Sequence, residues 1–324
     1  MRKFSHISAS SVDDAVSWLR RYGERAHVIA GGTDLLGKMK DEIMPRYPDA
    51  IIDLKTIPGL DFIKEEDGIL RIGALSRLHD IAMNPTVKDR YPALAMAAHR
   101  TASPNIRQMG TIGGNVCQDI RCWYYRSPRN RFPCLRKGGG RCYAIDGDNR
   151  YHSILGGSVK GGCYAVHPSD IAPALIVLDA NIVTSRRTIR AESFFQVEVG
   201  RTTVLEGDEI LTEIQVPAPA GGTKSTFIKF AMRTSIDFPI VNCAAMITNP
   251  DGVVSAARVC LNAVYGKPHR AYNAEETIVG KALDEPTAEA AGEASVVGAE
   301  PLKHNRYMVQ VARTLVKRAI LACS

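Results

Sequence analysis

No run of about 18 apolar residues occurs anywhere in the 324-residue chain, so nothing in it reads as a membrane-spanning helix. The first residues, Met1-Arg2-Lys3-Phe4-Ser5-His6, carry two basic side chains but no apolar core and no small-residue cleavage site. That start predicts a cytoplasmic protein, periplasmic only if a signal-bearing partner exports the folded complex. C-x-x-C, G-x-G-x-x-G, H-E-x-x-H and any nucleophile triad are absent. Their absence weakens the zinc reading without excluding it, and leaves neither the Rossmann fingerprint nor a zinc-protease or triad constellation in the chain. No internal repeat is visible. What is present is ordinary for a globular chain: 45% hydrophobic and 23% charged residues, enough to bury a core without disulfides and far from the composition of global disorder. The length implies two or three domains.

The formal charge of +7 is not spread evenly. Between Arg121 and Cys142 the chain carries Arg121, Arg126, Arg129, Arg131, Arg136, Lys137 and Arg141 and not one Asp or Glu. That segment holds the whole excess. Cysteine is equally local: Cys117, Cys122, Cys134, Cys142 and Cys163 fall in one stretch, whereas Cys243, Cys260 and Cys323 sit among apolar neighbours. Without a secretion signal, clustered thiols favour metal binding over disulfides.

The chain opens as an α/β pattern. Ser11-Val12-Asp13-Asp14 reads as a capping box ahead of a helical stripe of Val12, Ala15, Val16 and Leu19, which Gly23 ends. Ala26–Ala30, Ala50–Leu54 and Ile69–Ala74 read as strands, and residues 78–82 and 93–102 as helices. From Cys122 to Cys163 neither period appears, and a structureless stretch that long inside a compact domain requires something other than a hydrophobic core to order it. A helix with an early proline follows at Ser169–Leu178, then strands at 181–184, 202–205 and 210–216. Pro217-Ala218-Pro219-Ala220-Gly221-Gly222 is the best linker, which divides the chain into residues 1–222 and 223–324. Beyond it, strands at 225–232, 241–248 and 253–263, the last two joined by the turn Asn249-Pro250-Asp251-Gly252, form an antiparallel unit. Helices close the chain at 274–282 and 307–321.

Two glycine segments carry binding chemistry: Ile29-Ala30-Gly31-Gly32-Thr33-Asp34-Leu35-Leu36 and Thr111-Ile112-Gly113-Gly114-Asn115. Alone, each Gly-Gly is a tight turn. As a pair, with no Cβ to hold an anion away from successive amides, they fit the two phosphates of a dinucleotide, with Thr33, Thr111 and Asn115 as further donors. The thiols Cys122, Cys134, Cys142 and Cys163 are separated by eleven, seven and twenty residues. Zinc sites usually include one closely spaced pair. A cubane iron–sulfur cluster is the competing site, its net negative charge matched by the seven cations. Two other readings stand beside it: a solvated basic loop, and a zinc-loop module binding nucleic acid, with Trp123, Tyr124, Tyr125 and Phe132 as stacking surfaces. Cys117, placed by the exit of the second glycine segment, is left out of the thiol set.

The two glycine segments, together with Pro168-Ser169-Asp170-Ile171-Ala172-Pro173-Ala174-Leu175, resemble the FAD-binding medium subunit of molybdenum hydroxylases, the xanthine oxidase family, over essentially the whole chain. The resemblance implies an α+β fold: a two-part FAD-binding domain of the PCMH/CO dehydrogenase flavoprotein type, then a C-terminal antiparallel sheet with helices. It implies that Ile29, Ala30, Gly31, Gly32, Thr33, Asp34, Leu35 and Leu36, with Thr111, Gly113, Gly114 and Asn115, contact the FAD pyrophosphate. Asp170 is then expected on the ribose side and Lys229 at the flavin. The insertion at about 117–164 is similar to that of 4-hydroxybenzoyl-CoA reductase and bacterial aldehyde oxidoreductase flavin subunits. There it holds an extra [4Fe-4S] cluster, which places Cys122, Cys134, Cys142 and Cys163 as ligands. The implied activity is electron transfer between FAD and an external carrier (ferredoxin, a quinone, NAD or oxygen). A large molybdenum-cofactor subunit and a small subunit with two [2Fe-2S] clusters are the implied partners, and substrate chemistry lies outside this chain.

Overall fold

The computed structural model describes residues 1–324. Its first layer is β1 (Ser5–Ser8), α1 (Val12–Tyr22), β2 (Ala26–Ile29), α2 (Leu35–Lys40) and β3 (Ala50–Asp53). Ser11 Oγ accepts the Asp14 N–H at 3.0 Å, while the Asp14 carboxylate turns back to Ser10 rather than to the cap residue itself. Ala15, Val16 and Leu19 then face inward, and Gly23 at φ 57° closes the helix. The three strands pair in parallel in the order β1-β3-β2, with every residue of β3 buried. Parallel pairing of this kind is covered on its faces, which is why β3 opens on the apolar run Ala50-Ile51-Ile52.

A second layer follows: β4 (Ile63–Glu66), β5 (Ile69–Gly73), α3 (Leu78–Met83), α4 (Pro85–Arg90), α5 (Pro92–Arg100), α6 (Pro104–Met109) and α7 (Ile112–Val116). After the insertion come α8 (Ile171–Val177), β6 (Asn181–Thr184), β7 (Thr188–Arg190), α9 (Ala191–Phe194), β8 (Phe195–Glu198), β9 (Arg201–Thr203) and β10 (Leu211–Pro217). The antiparallel order is β4-β5-β10-β6-β7. Helices α4 and α6 escape the apolar-period reading because they are short and open on proline, which suits a first helical position where no amide partner is needed. The second glycine segment also departs from expectation. It is not a loop but the start of α7, capped by Thr111.

The last layer is β11 (Thr223–Phe230), β12 (Val241–Thr248), β13 (Ala256–Asn262), β14 (His269–Arg270), α10 (Tyr272–Ile278), α11 (Glu285–Ala294) and α12 (Tyr307–Leu321), with the strands antiparallel in chain order. Strand β12 is buried on both faces and deals its side chains alternately: Cys243, Ala245 and Ile247 join the core beneath α10–α12, whereas Ala244 joins the core shared with α5 and α8. Small residues let both helical layers approach it. The architecture is the expected α+β fold, with a core that continues from the second layer into the C-terminal sheet through Phe227, Ala244 and Cys260.

Residues 118–168 form no helix or strand beyond two 3₁₀ turns, Pro128–Asn130 and Leu135–Lys137. Paired bridges at its ends, Arg121 with Val166 and Ser158 with Cys163, close it on itself. Hydrogen bonds from Asn305 Nδ2 to the carbonyls of His152 and Ser153, and from the Ile154 amide to Val264 O, dock it on the C-terminal layer.

Candidate functional site

A cavity of about 530 Å³ lies between the parallel sheet, the second-layer helices and a loop of the C-terminal layer. Ile29, Ala30, Gly31, Gly32, Thr33, Asp34 and Leu35 form one wall; Thr111, Gly113, Gly114, Asn115 and Asp170 form another. Leu36 and Lys229 do not reach it.

The two glycine segments differ in what their amides do. None of the N–H groups of Gly31, Gly32, Thr33, Asp34 or Leu35 has an acceptor in the protein. A Cβ on Gly31 would stand 2.1 Å from the carbonyl oxygen of Met109, so only glycine allows this backbone to lie against the end of α6. In the second segment Ile112 N–H donates to Ser76 O and Gly113 N–H to Ala74 O, each at 2.9 Å, and Gly114 N–H is taken by the Thr111 hydroxyl at 3.1 Å. That segment is bolted to the turn that follows β5. Its polar end, Asn115 Oδ1, accepts the Ser169 hydroxyl at 2.5 Å, and Ser169 in turn caps α8 by accepting the Ala172 N–H at 3.0 Å.

Three predicted contacts are redirected by the tertiary structure. Asp34 gives its carboxylate to Arg121 (2.9 Å) and Arg126 (2.8 Å) and accepts the Asp119 amide at 3.0 Å. Burial would raise its pKa, but Arg126, Arg121 and Lys38 outweigh burial and hold it below the usual carboxylate range. The Asp34 side chain is thus spent on the insertion's arginines, while the backbone N–H groups of its loop have no protein acceptor. Asp170 borders the cavity, yet its oxygens bond Lys229 Nζ and Asn242 Nδ2, each at 2.7 Å. Lys229 Nζ also donates to Arg100 O at 3.0 Å. With both side chains only 3% exposed, the pair ties α8 to β11 and β12, which removes Lys229 from the cavity wall. Burial raises the Asp170 pKa in spite of Lys229.

The sequence reading passed over the far wall. Ile236, Asp237 and Phe238, from the loop between β11 and β12, reach over the cavity with Thr101, Ala102, Leu205 and Ile210. Ile236 sits at φ 64° with its amide donating to Ala102 O, and Phe238 packs 4.1 Å beneath the Arg121 guanidinium. The available signal was a loop rich in apolar residues that the structure leaves exposed: Met232, Ile236 and Phe238. Lys38 and Asp119, paired at 3.0 Å, were also missed.

Beside the cavity, the insertion gathers the thiols. Cys134, Cys142 and Cys163 are buried and Cys122 partly so. The Cys122 sulfur lies within electrostatic range of Cys163 and Cys142, and Cys134 within range of Cys163. Burial pushes the Cys122 thiol up to about 12. Cys117 packs against the main core instead and lines the cavity. No three His, Cys, Asp or Glu side chains converge tightly enough for a single metal ion, so the thiols are not arranged as a zinc site. Three of the four rings that a nucleic-acid loop would display are packed away, Tyr124 on Phe132 and Tyr143 with Tyr125 buried, whereas Trp123 is exposed and lies edge-on to Tyr151. The seven cations divide. Arg121 and Arg126 serve Asp34, Arg129, Arg131 and Arg141 are exposed, Arg136 turns Nε toward Cys163 Sγ, and Lys137 holds Nζ 5.3 Å over the Tyr125 ring.

A cavity whose lining residues carry backbone amides without protein acceptors suits an anionic ligand, and comparison with known proteins gives the class. Residues 2–219 match the family "FAD binding domain in molybdopterin dehydrogenase", and residues 226–323 match "CO dehydrogenase flavoprotein C-terminal domain". The chain belongs to the FAD-binding medium subunits of the xanthine oxidase family of molybdenum hydroxylases and is an oxidoreductase subunit. It is 38% identical over 256 residues to the aldehyde oxidoreductase FAD-binding subunit of Escherichia coli (strain K12), covering 76% of each chain. It is 29% identical to the carbon monoxide dehydrogenase medium chain of Hydrogenophaga pseudoflava, covering 99% of this chain and 96% of the other. The structure superposes on a chain of that organism's carbon monoxide dehydrogenase lacking the Mo-pyranopterin moiety with a TM-score of 0.79, covering 99% of this chain and 97% of that one.

Proposed function

We propose that this chain is the electron-transfer subunit of a heteromeric molybdenum hydroxylase. In this reading it carries FAD and a [4Fe-4S] cluster between an external carrier and partners that hold the molybdenum cofactor and [2Fe-2S] clusters. Residues 1–222 form the FAD-binding part with the cluster insertion, and 223–324 the covering domain.

The amides of Gly31–Leu35 and the Thr33 hydroxyl hold the FAD pyrophosphate: these residues line the cavity and none of their five N–H groups is spent on a protein acceptor, so successive donors are available to an anion. Gly113, Gly114 and Asn115 shape the opposite wall. Asp170 and Lys229 act from behind it, fixing the angle between the FAD-binding layers and the C-terminal sheet. Bound FAD supplies one- and two-electron exchange, and the protein sets its position and potential.

The residues of the insertion fit an anionic cluster. Arg136 Nη2 and Lys137 Nζ are buried without any hydrogen-bond partner and both belong to residues that address the thiols: Arg136 Nε lies 3.2 Å from Cys163 Sγ, and Lys137 is within electrostatic range of Cys134 and Cys122. Two buried cations without a counter-anion are costly unless a negative group joins them, and four thiolates on a cubane supply one. Cys122, Cys134, Cys142 and Cys163 are its ligands.

One observation carries the electron-transfer role. Cys117, Gln118 and Arg121 line the cavity, and the next residue, Cys122, belongs to the thiol set, so the two redox sites share a wall a few residues long. The test is the complex purified without air. Flavin bands, broad absorption near 400 nm and four irons per chain are expected, and an iron-free, colourless chain overturns the reading. Replacing Cys134 by Ser is expected to remove the irons and leave FAD.

A further inference from the structure

Two side chains of the insertion touch ligand sulfurs without being ligands. Arg136 is 5% exposed and His152 1%. Arg136 points its Nε at Cys163 Sγ from 3.2 Å while Nη1 donates to Glu198 O at 2.9 Å. The Glu198 carbonyl, at the end of β8, fixes the guanidinium plane from outside the insertion. His152 holds Nε2 at 3.3 Å from Cys122 Sγ. Its carbonyl accepts Asn305 Nδ2 at 2.8 Å and its amide donates to Asn149 O at 3.2 Å, so its backbone is clamped against the segment before α12. The remaining polar atoms, Arg136 Nη2 and His152 Nδ1, have no partner. Each residue is therefore oriented by an element distant in sequence and spends its aimed nitrogen on a sulfur.

We propose that Arg136 and His152 are positioning residues for the cluster, donating N–H···S hydrogen bonds to Cys163 and Cys122, and that with Lys137 they raise its reduction potential. This rests on the cluster reading above. Reduction adds negative charge to the cluster and its sulfurs. A donor or cation held against them stabilises the reduced form more than the oxidised one. The protein thereby separates two tasks: four cysteines retain the cluster, and three neighbouring side chains set how readily it takes an electron relative to the flavin across the shared wall.

The experiment is a redox titration of the anaerobically purified complex followed by electron paramagnetic resonance, with iron and FAD content measured on the same samples. Arg136→Leu and His152→Phe are each expected to retain four irons and FAD and to favour the oxidised form about tenfold, a negative shift of about 59 mV for a one-electron couple. Arg136→Lys, which keeps the charge but loses the aimed N–H, is expected to fall between. Unchanged potentials in variants with full iron overturn the proposal while leaving the cluster reading intact; wild-type complex without iron overturns the cluster reading itself. Should the variants lose their iron, exchange of the wild-type complex into D₂O decides. Exchangeable protons coupled to the reduced cluster are expected, and their absence overturns the proposal.

Discussion

Two glycine pairs of nearly the same composition end up with opposite duties. In the first, Gly31-Gly32, the chain leaves β2 with nothing to pair with, and five successive amides of cavity-lining residues have no protein acceptor. In the second, Gly113-Gly114, the amides are already spent on the Ala74 carbonyl just past β5 and on the Thr111 cap. Both pairs are needed because backbone meets backbone: Gly31 lies against Met109 O and Gly113 against Ala74 O. The lesson is that glycine marks close approach, and only the hydrogen-bond account shows whether the approach serves a ligand or the scaffold. The second pair reaches function indirectly, through Asn115, Ser169 and the buried Asp170–Lys229 tie.

The largest expected effect comes from breaking that tie. Lys229→Met leaves Asp170 buried and unpaired and is expected to lower stability by about 3–5 kcal/mol, read as a fall in the thermal unfolding midpoint; an unchanged midpoint would show the tie to be ornamental. Next, Gly31→Ala places a Cβ 2.1 Å from Met109 O and displaces the free amides. Losing two hydrogen bonds to a charged phosphate, about 1.5–3 kcal/mol each, predicts an FAD affinity lower by on the order of 100- to 10,000-fold, measured by flavin titration, and because the carbonyl it meets is backbone the apo chain loses stability as well. Gly113→Ala is the contrasting experiment: its Cβ would stand 2.9 Å from Ala74 O, and overpacking of about 1–3 kcal/mol should appear in the unfolding midpoint far more than in FAD affinity. Equal effects of the two glycine variants on FAD would erase the distinction.

The smallest expected effect is a dependence on pH. His167, two residues before Ser169, is fully buried, and desolvation lowers its pKa to about 3. The unfolded chain takes up a proton as pH falls through 6.5, the value for an unperturbed histidine, whereas the folded chain refuses it until about 3. Stability is thus intact above pH 6.5 and declines below it, by about 1.4 kcal/mol at pH 5.5. His27 and His152, each lowered to about 4 by burial, add the same trend, so His167→Gln should remove only the share of His167 from the slope; an unchanged slope would place the titration elsewhere.

Much of this was legible without coordinates. The capped stripe of α1, the helix at 307–321, the strand at 241–248 and the Asn249–Gly252 turn all follow from period and turn chemistry, signals that act within a few residues. The glycine segments and thiols were visible as residues with no other evident use. What stayed hidden was the partner of each. Asp34 finds Arg121 and Arg126 some ninety residues on, Asp170 finds Lys229 across the chain's two parts, and Arg136 finds a sulfur and the Glu198 carbonyl.

The sequence by itself therefore determined the elements, the class of cofactor chemistry and the stretch where charge and sulfur concentrate, because local backbone preference and composition are properties of neighbouring residues. Only the tertiary structure decided which amides were left free, which carboxylates were already neutralised and which two of seven cations turn inward. Those outcomes depend on groups brought together by burial, where each unpaired donor or charge is expensive and its partner can come from anywhere in the chain.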